Sequence, residues 1–227
     1  PAEIPKLQEE GVLRIDPQLG TYFYCYNTEK PPFDDSRVRM ALSLAIDRQY
    51  IVENVTKGNQ IPAGAYIPSG IPDVNAKPDF RETGGNYYDP MTSAYQQNVA
   101  KAKQLLAEAG YPDGQGFPQV ELMYNTEGAH LAIAEAVQEM WKQNLGITVK
   151  LSGQEWAVFQ DTRTRGNFQI ARHGWLGDYV DPMTFLDMWM SNSGQNDANW
   201  KNTEYDKLIE IARSSNNREE RMEAMHK

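Results

Sequence analysis

The sequence predicts an α/β domain with a largely parallel or mixed sheet flanked by helices, and three observations carry that prediction. Between residues 120 and 174, strand-like and helix-like segments alternate: "VELMYN", "AHLAIAEAVQEMWKQNLG", "ITVKLSG", "EWAVFQDTRTRG" and "FQIARHG". The helices end on standard stop signals, Gly146 after one and Gly110 with Pro112 after an earlier one. At 227 residues, with 40% apolar and 23% charged residues, the chain is long enough to bury a real core, as one large domain or two small ones.

Taken in order, the aromatic run "TYFYCY" at residues 21–26 reads as a strand, which "NTEKPPFDD" ends with two prolines. Asp34 or Asp35 is placed to cap a helix whose apolar positions Val38, Leu42, Ala45 and Ile46 follow helical spacing. That helix is expected to continue through "DRQYIVENV" to Gly58. Residues 59–90 are dense in Pro and Gly, as a long loop or a linker would be. Their interleaved Tyr66, Ile67, Ile71, Phe80, Tyr87 and Tyr88 favour a loop wrapped on a surface, since free linkers rarely carry so many aromatics. "NVAKAKQLLAEAG" is a helix, and the alternating block follows it. A short helix and polar loop come next in "MTFLDMWMSNSGQNDANW", then helices at "TEYDKLIEIARS" and "REERMEAMHK". An opening without Met and an end inside a helical pattern suggest a piece of something longer.

Several functions are excluded by composition. A net charge of −9 without clustered Lys and Arg argues against a nucleic-acid surface, and solubility is the plain reading of the excess acid. The single cysteine, Cys25, rules out an internal disulfide framework and reads as a buried, inert thiol. No signal peptide and no bilayer-length apolar run are present. Without a Gly-rich phosphate loop, a Cys pair or paired histidines, no cofactor and no metal are expected. A metal site or a hydrolytic set assembled from His173, Asp178 and Asp181 is the remaining chemical option, although Asp181 before Pro182 suits a helix cap.

The stretch "ARHGWLGDYVDP", residues 171–182, is the densest in functional groups. The strand delivers Arg172 and His173 to its C-terminal end, and Gly174 and Gly177 permit tight turns around Trp175. Asp178 is then expected in a crevice beside an indole, where a carboxylate needs a cationic partner. Spacing alone leaves two partners open, an internal Arg172 or a ligand ammonium.

Four segments in order carry a resemblance: "TYFYCYNTEKPPFDDSRVRMALSLAIDR", "LLAEAGYP", "YNTEGAHLAIAEAVQEMWKQNLGITVKL" and "QEWAVFQDTRTRGNFQIARHGWLGDYVDPMTFL". They resemble the oligopeptide-binding proteins of ABC importers, two-lobed solute-binding proteins of the periplasmic-binding-protein type II fold. The resemblance implies that residues 22–227 are the second, peptide-binding lobe with its C-terminus truncated, and that residues 1–21 lead in from the first lobe and hinge. It implies short peptides as ligands, a membrane permease as partner, no enzymatic activity, and a location outside the cytoplasm, with a lipid anchor in some full-length members. Asp178 matches the residue that meets the peptide α-ammonium. Arg172 and His130 match positions used toward the carboxylate end, and Trp156 and Trp175 match the walls of side-chain pockets. His173 and Leu176 stand where other members carry different residues, which bears on pocket size. Relatives of this fold bind dipeptides, nickel chelates, sugars or haem, so a non-peptide solute is the alternative ligand.

Overall fold

The computed structural model describes residues 3–227. A short helix, α1 (Ile4–Glu9), buries none of its residues and precedes the first strand. The elements that follow are β1 (Gly20–Tyr26), α2 (Ser36–Leu44), α3 (Arg48–Tyr50), α4 (Phe80–Gly84), α5 (Thr92–Glu108), β2 (Val120–Asn125), α6 (His130–Leu145), β3 (Val149–Gln154) and α7 (Trp156–Thr164). The chain ends with β4 (Ile170–Leu176), α8 (Met183–Leu186), α9 (Thr203–Ser214) and α10 (Arg218–His226). The four strands form one mixed sheet in the order β1-β4-β2-β3, in which only β1 runs antiparallel to its neighbour.

One core lies where α2, α5 and α6 cover the sheet, and it holds Phe33, Leu42, Leu106, Leu122 and Trp141. Trp141 is fully buried, and its indole N–H donates to the Leu42 carbonyl at 2.8 Å, so the ring can sit in the interior with no unpaired donor. A second cluster around Cys25, Met123, Phe159, Phe168 and Ala171 places α7 with it, separate from the α6 cluster. Burial pushes the Cys25 thiol well up, which fits an inert cysteine. The Pro- and Gly-rich stretch 59–90 wraps a third cluster: Ile67, Ile71 and Phe80 are buried with Phe185, Ile209 and Met222. Its α4 opens on a capping box, Asp79 accepting from the Glu82 amide at 2.8 Å and Glu82 from the Asp79 amide at 2.7 Å.

The helix expected to run unbroken to Gly58 is instead interrupted. Asp35 caps α2 as predicted, but Asp47 adopts an extended backbone and its carboxylate accepts from the Tyr50 amide at 2.9 Å, starting a new helix. That helix passes into a π-helical segment over Ile51–Thr56 and stops at the left-handed Lys57. Periodicity alone missed the break because an Asp inside an apolar pattern reads equally well as a solvent-facing position.

Candidate functional site

Parallel strands end on the same side of a sheet, so the C-terminal ends of β2, β3 and β4 and the start of antiparallel β1 share one rim. The strand order reverses between β2 and β4. From β2 the chain passes through α6 to the adjacent β3, then through α7 back across β2 to β4. At that reversal the sheet also splays, because β2 and β4 pair only through Leu122 with Ile170 and Met123 with Ala171. Crevices of this kind are where open α/β sheets receive ligands.

The β1–β4 ladder fixes which backbone groups face the crevice. The Asn27 amide donates to the Gln169 carbonyl at 3.0 Å, and the Gly177 amide donates to the Leu19 carbonyl at 2.7 Å. Bonded positions alternate in an antiparallel ladder, so residues 171, 173 and 175 also bond β1. Arg172, Gly174 and Leu176 therefore turn their N–H and C=O groups toward the open edge.

Side chains alternate across the same strand. Arg172 and Leu176 share a face with Tyr22 and Tyr24, while His173 and Trp175 share the opposite face with Phe23. The Arg172 guanidinium lies 5.3 Å from the Tyr22 ring centre, and Tyr22 stacks on His130 at 5.6 Å. Arg172, Tyr22 and His130 thus join β4, β1 and the first residue of α6 in one column. Burial lowers Arg172 from its usual value. His130 is held below its ordinary 6.5, first by desolvation and then by the Arg172 charge, with Glu127 opposing. Along this rim Tyr24 Oη, Asn125 Oδ1, His130 Nδ1, Arg172 Nε and Trp175 Nε1 are buried without a hydrogen-bond partner. Each such group costs about 1–3 kcal/mol unless water or another partner satisfies it.

The remaining predicted residues are distributed as follows. Trp156 opens α7 with 43% of its surface exposed and stacks on Phe159, while Leu176 is 64% exposed. Trp175 is half-buried and packs against the cluster of Ile67, Ile71 and Phe185. Asp178 is exposed, and among the described residues its carboxylate has no ion pair or hydrogen bond; its backbone N–H donates to Thr184 Oγ1 at 3.0 Å. His173 is only 4% exposed and lies in the interior beneath the rim.

Three expectations need correction. Gly174 makes no turn, because β1 supplies pairing partners at residues 20–22 that hold β4 extended through Leu176. No crevice encloses Asp178, and it forms no ion pair with Arg172, whose guanidinium is engaged with Tyr22. His173, Asp178 and Asp181 do not converge either. Asp181 accepts from the Met183 amide at 2.9 Å and pairs with Arg221 at 2.6 Å, whereas His173 faces Asp197 at 3.3 Å. Among the described residues no group of three His, Cys, Asp or Glu side chains is arranged to hold a metal.

Two rim residues escaped the sequence reading. Tyr22 belongs to the site because strand alternation in "TYFYCY" puts Tyr22, Tyr24 and Tyr26 on one face, a signal present in the sequence. Glu127 accepts from Asn125 Nδ2 at 2.8 Å, and that bond holds its carboxyl below the usual range. Nothing in the local sequence marks it.

The His130 environment gives a checkable pH effect. Its folded pKa lies below the unfolded value of 6.5, so the unfolded chain binds more protons; stability from this residue is present above 6.5 and is lost as pH falls toward the folded pKa. Proton-detected NMR of the imidazole is expected to show a midpoint below 6.5 that rises when Arg172 is replaced by Met. A midpoint at 6.5 that ignores the substitution would contradict the column described above.

Comparison with known proteins places the chain among relatives. The model of the bacterial extracellular solute-binding proteins, family 5 middle region, matches residues 1–197. The oligopeptide-binding protein OppA of Bacillus subtilis is 39% identical over 225 residues, which cover 99% of this chain and 40% of that protein. The chain thus spans about 40% of the length of this relative. Two solved structures superpose closely. Haemophilus influenzae OppA in complex with the peptide RPPGFSPFR has a TM-score of 0.86 and 33% identity, covering all of this chain and 43% of that one. The Escherichia coli murein tripeptide binding protein MppA has a TM-score of 0.84 and 36% identity, covering 99% of this chain and 43% of that one.

Proposed function

Because the chain belongs to the bacterial extracellular solute-binding proteins of family 5, we propose that it is one lobe of the solute-binding component of an ABC importer, holding short peptides by their backbone and termini. The observation that carries this reading is an unpaired, exposed Asp178 carboxylate two residues beyond an open strand edge. An extended peptide laid along that edge pairs its backbone with outward-facing groups of residues 172–176, which supplies affinity whatever the side chains. Its α-ammonium then meets Asp178, a charge-assisted bond worth about 1.5–3 kcal/mol when shielded from water. Arg172, on the same face of β4 as Leu176, and His130 beside the Tyr22 ring carry unsatisfied polar atoms suited to a carboxylate or its bridging waters. Trp156, Trp175 and Leu176 form apolar walls for side chains. His173 supports the rim from beneath.

Residues 22–227 form the lobe in this reading, and residues 1–21 lead into it from the partner lobe. Delivery to a membrane permease and a location outside the cytoplasm belong to the same proposal. No helix among the described residues is long and apolar enough to cross a membrane, which fits delivery to a separate permease.

Titration of the 15N-labelled chain with millimolar tri-alanine is expected to shift amides of the rim, those of Tyr22, His130, Arg172, Leu176 and Asp178 among them. Shifts confined to α9 and α10, or none, would overturn the assignment of the rim.

A further inference from the structure

Gly174 is one of three residues whose backbone groups face the open edge of β4, yet its N–H is already taken. It donates to Nδ1 of the neighbouring His173 at 2.8 Å. The ring is held in that position from several sides. Phe23 stacks on it at 4.7 Å with an interplanar angle of 9°. Its Nε2 lies 3.3 Å from Asp197 Oδ2, and Asp197 in turn meets Arg163 Nε of α7 at 2.8 Å. All three polar side chains are nearly or wholly withdrawn from solvent, with 5%, 9% and 12% of His173, Asp197 and Arg163 exposed. Nδ1 also lies 3.1 Å from the Gly174 carbonyl, but its shorter contact is with the Gly174 N–H, and with Nε2 facing Asp197 we assign the proton to Nε2, which donates to Asp197.

We propose that His173 is a positioning residue that sets the register of ligand pairing by withdrawing the Gly174 N–H from the open edge. A peptide carbonyl facing Gly174 finds no donor there, so the ligand backbone anchors on Arg172 and Leu176, flanking the occupied position. Arg163 and Asp197 act through the ring, tying this choice to α7, whose first residue Trp156 lies on the same rim. The role rests on the peptide-binding reading above and adds to it a residue that need not touch the ligand. Few other residues could fill it. A side chain without an acceptor near its own Cα leaves the Gly174 N–H free, and one that does not stack on Phe23 is not held.

The test uses the full 227-residue chain, 15N-labelled, titrated with tri-alanine at millimolar concentration. In the wild type the amides of Arg172 and Leu176 are expected to shift with peptide while that of Gly174 moves much less. His173→Phe keeps the stack on Phe23 and removes the acceptor. It is expected to release the Gly174 amide, seen as an upfield move and faster hydrogen exchange, and to tighten tri-alanine binding about threefold to tenfold through one added hydrogen bond. Asp197→Asn, which loosens the ring without removing it, is expected to fall between the two. A Gly174 shift in the wild type equal to those of its neighbours, or a His173→Phe variant that is folded and frees the amide without any gain in affinity, would overturn the role of His173 alone. Absence of shifts along residues 172–178 in every variant would remove the peptide-binding reading, and this proposal with it.

Discussion

Replacement of Asp178 by Asn, in a two-lobed protein that carries this lobe, is expected to weaken binding of peptides with a free N-terminus by about tenfold to a hundredfold. The substitution preserves shape and removes the charge. Asp178 engages nothing in the lobe through its carboxylate, so the change should leave folding untouched and appear only when an ammonium is present. Thermal unfolding without peptide should therefore coincide for the two proteins. Calorimetric titration with tri-alanine reads the affinity difference directly.

The 227-residue chain by itself is expected to bind the same peptides with millimolar Kd or weaker, against micromolar or better when the second lobe closes over them. Its rim is open: Tyr22, Trp156, Leu176, Tyr179 and Val180 expose between 38% and 64% of their surface. On such a surface the ammonium pair is screened and contributes no more than an exposed ion pair, about 0–1 kcal/mol. Pairing along one strand edge then offsets the entropy of holding a flexible peptide only in part, which leaves the affinity in the millimolar range. In the proposed two-lobed protein a closing lobe would remove the water and supply the other half of the contacts. Micromolar binding by the single lobe, measured by the same NMR titration, would mean that one surface already holds the main contacts.

Much of this arrangement was readable in the sequence. Strand and helix alternation after residue 120 pointed to a largely parallel or mixed sheet, and the structure has β2, β3 and β4 parallel with their C-terminal ends on one side. The alternation in "TYFYCY" separates Tyr22 from Phe23, and so separates the two faces of the rim. The glycines misled, because a Gly is equally at home in a turn and in a strand; pairing with the distant residues 20–22 decides that Gly174 stays extended. His173 was hidden for a similar reason. Its partners Phe23, Arg163 and Asp197 come from β1, α7 and the loop before α9, and no local pattern brings them together. Sequence spacing suggested that Asp178 sits in a crevice; a crevice needs two walls, and the described chain supplies one.

The most direct measurement is a double-mutant cycle in the two-lobed protein, pairing the wild type and the Asp178→Asn variant each with tri-alanine and with its N-acetylated form. If the Asp178 carboxylate holds the α-ammonium, acetylation costs the wild type about tenfold to a hundredfold and costs the Asp178→Asn variant almost nothing. Equal affinity of the wild type for both peptides, or losses from acetylation and substitution that simply add, would contradict the account.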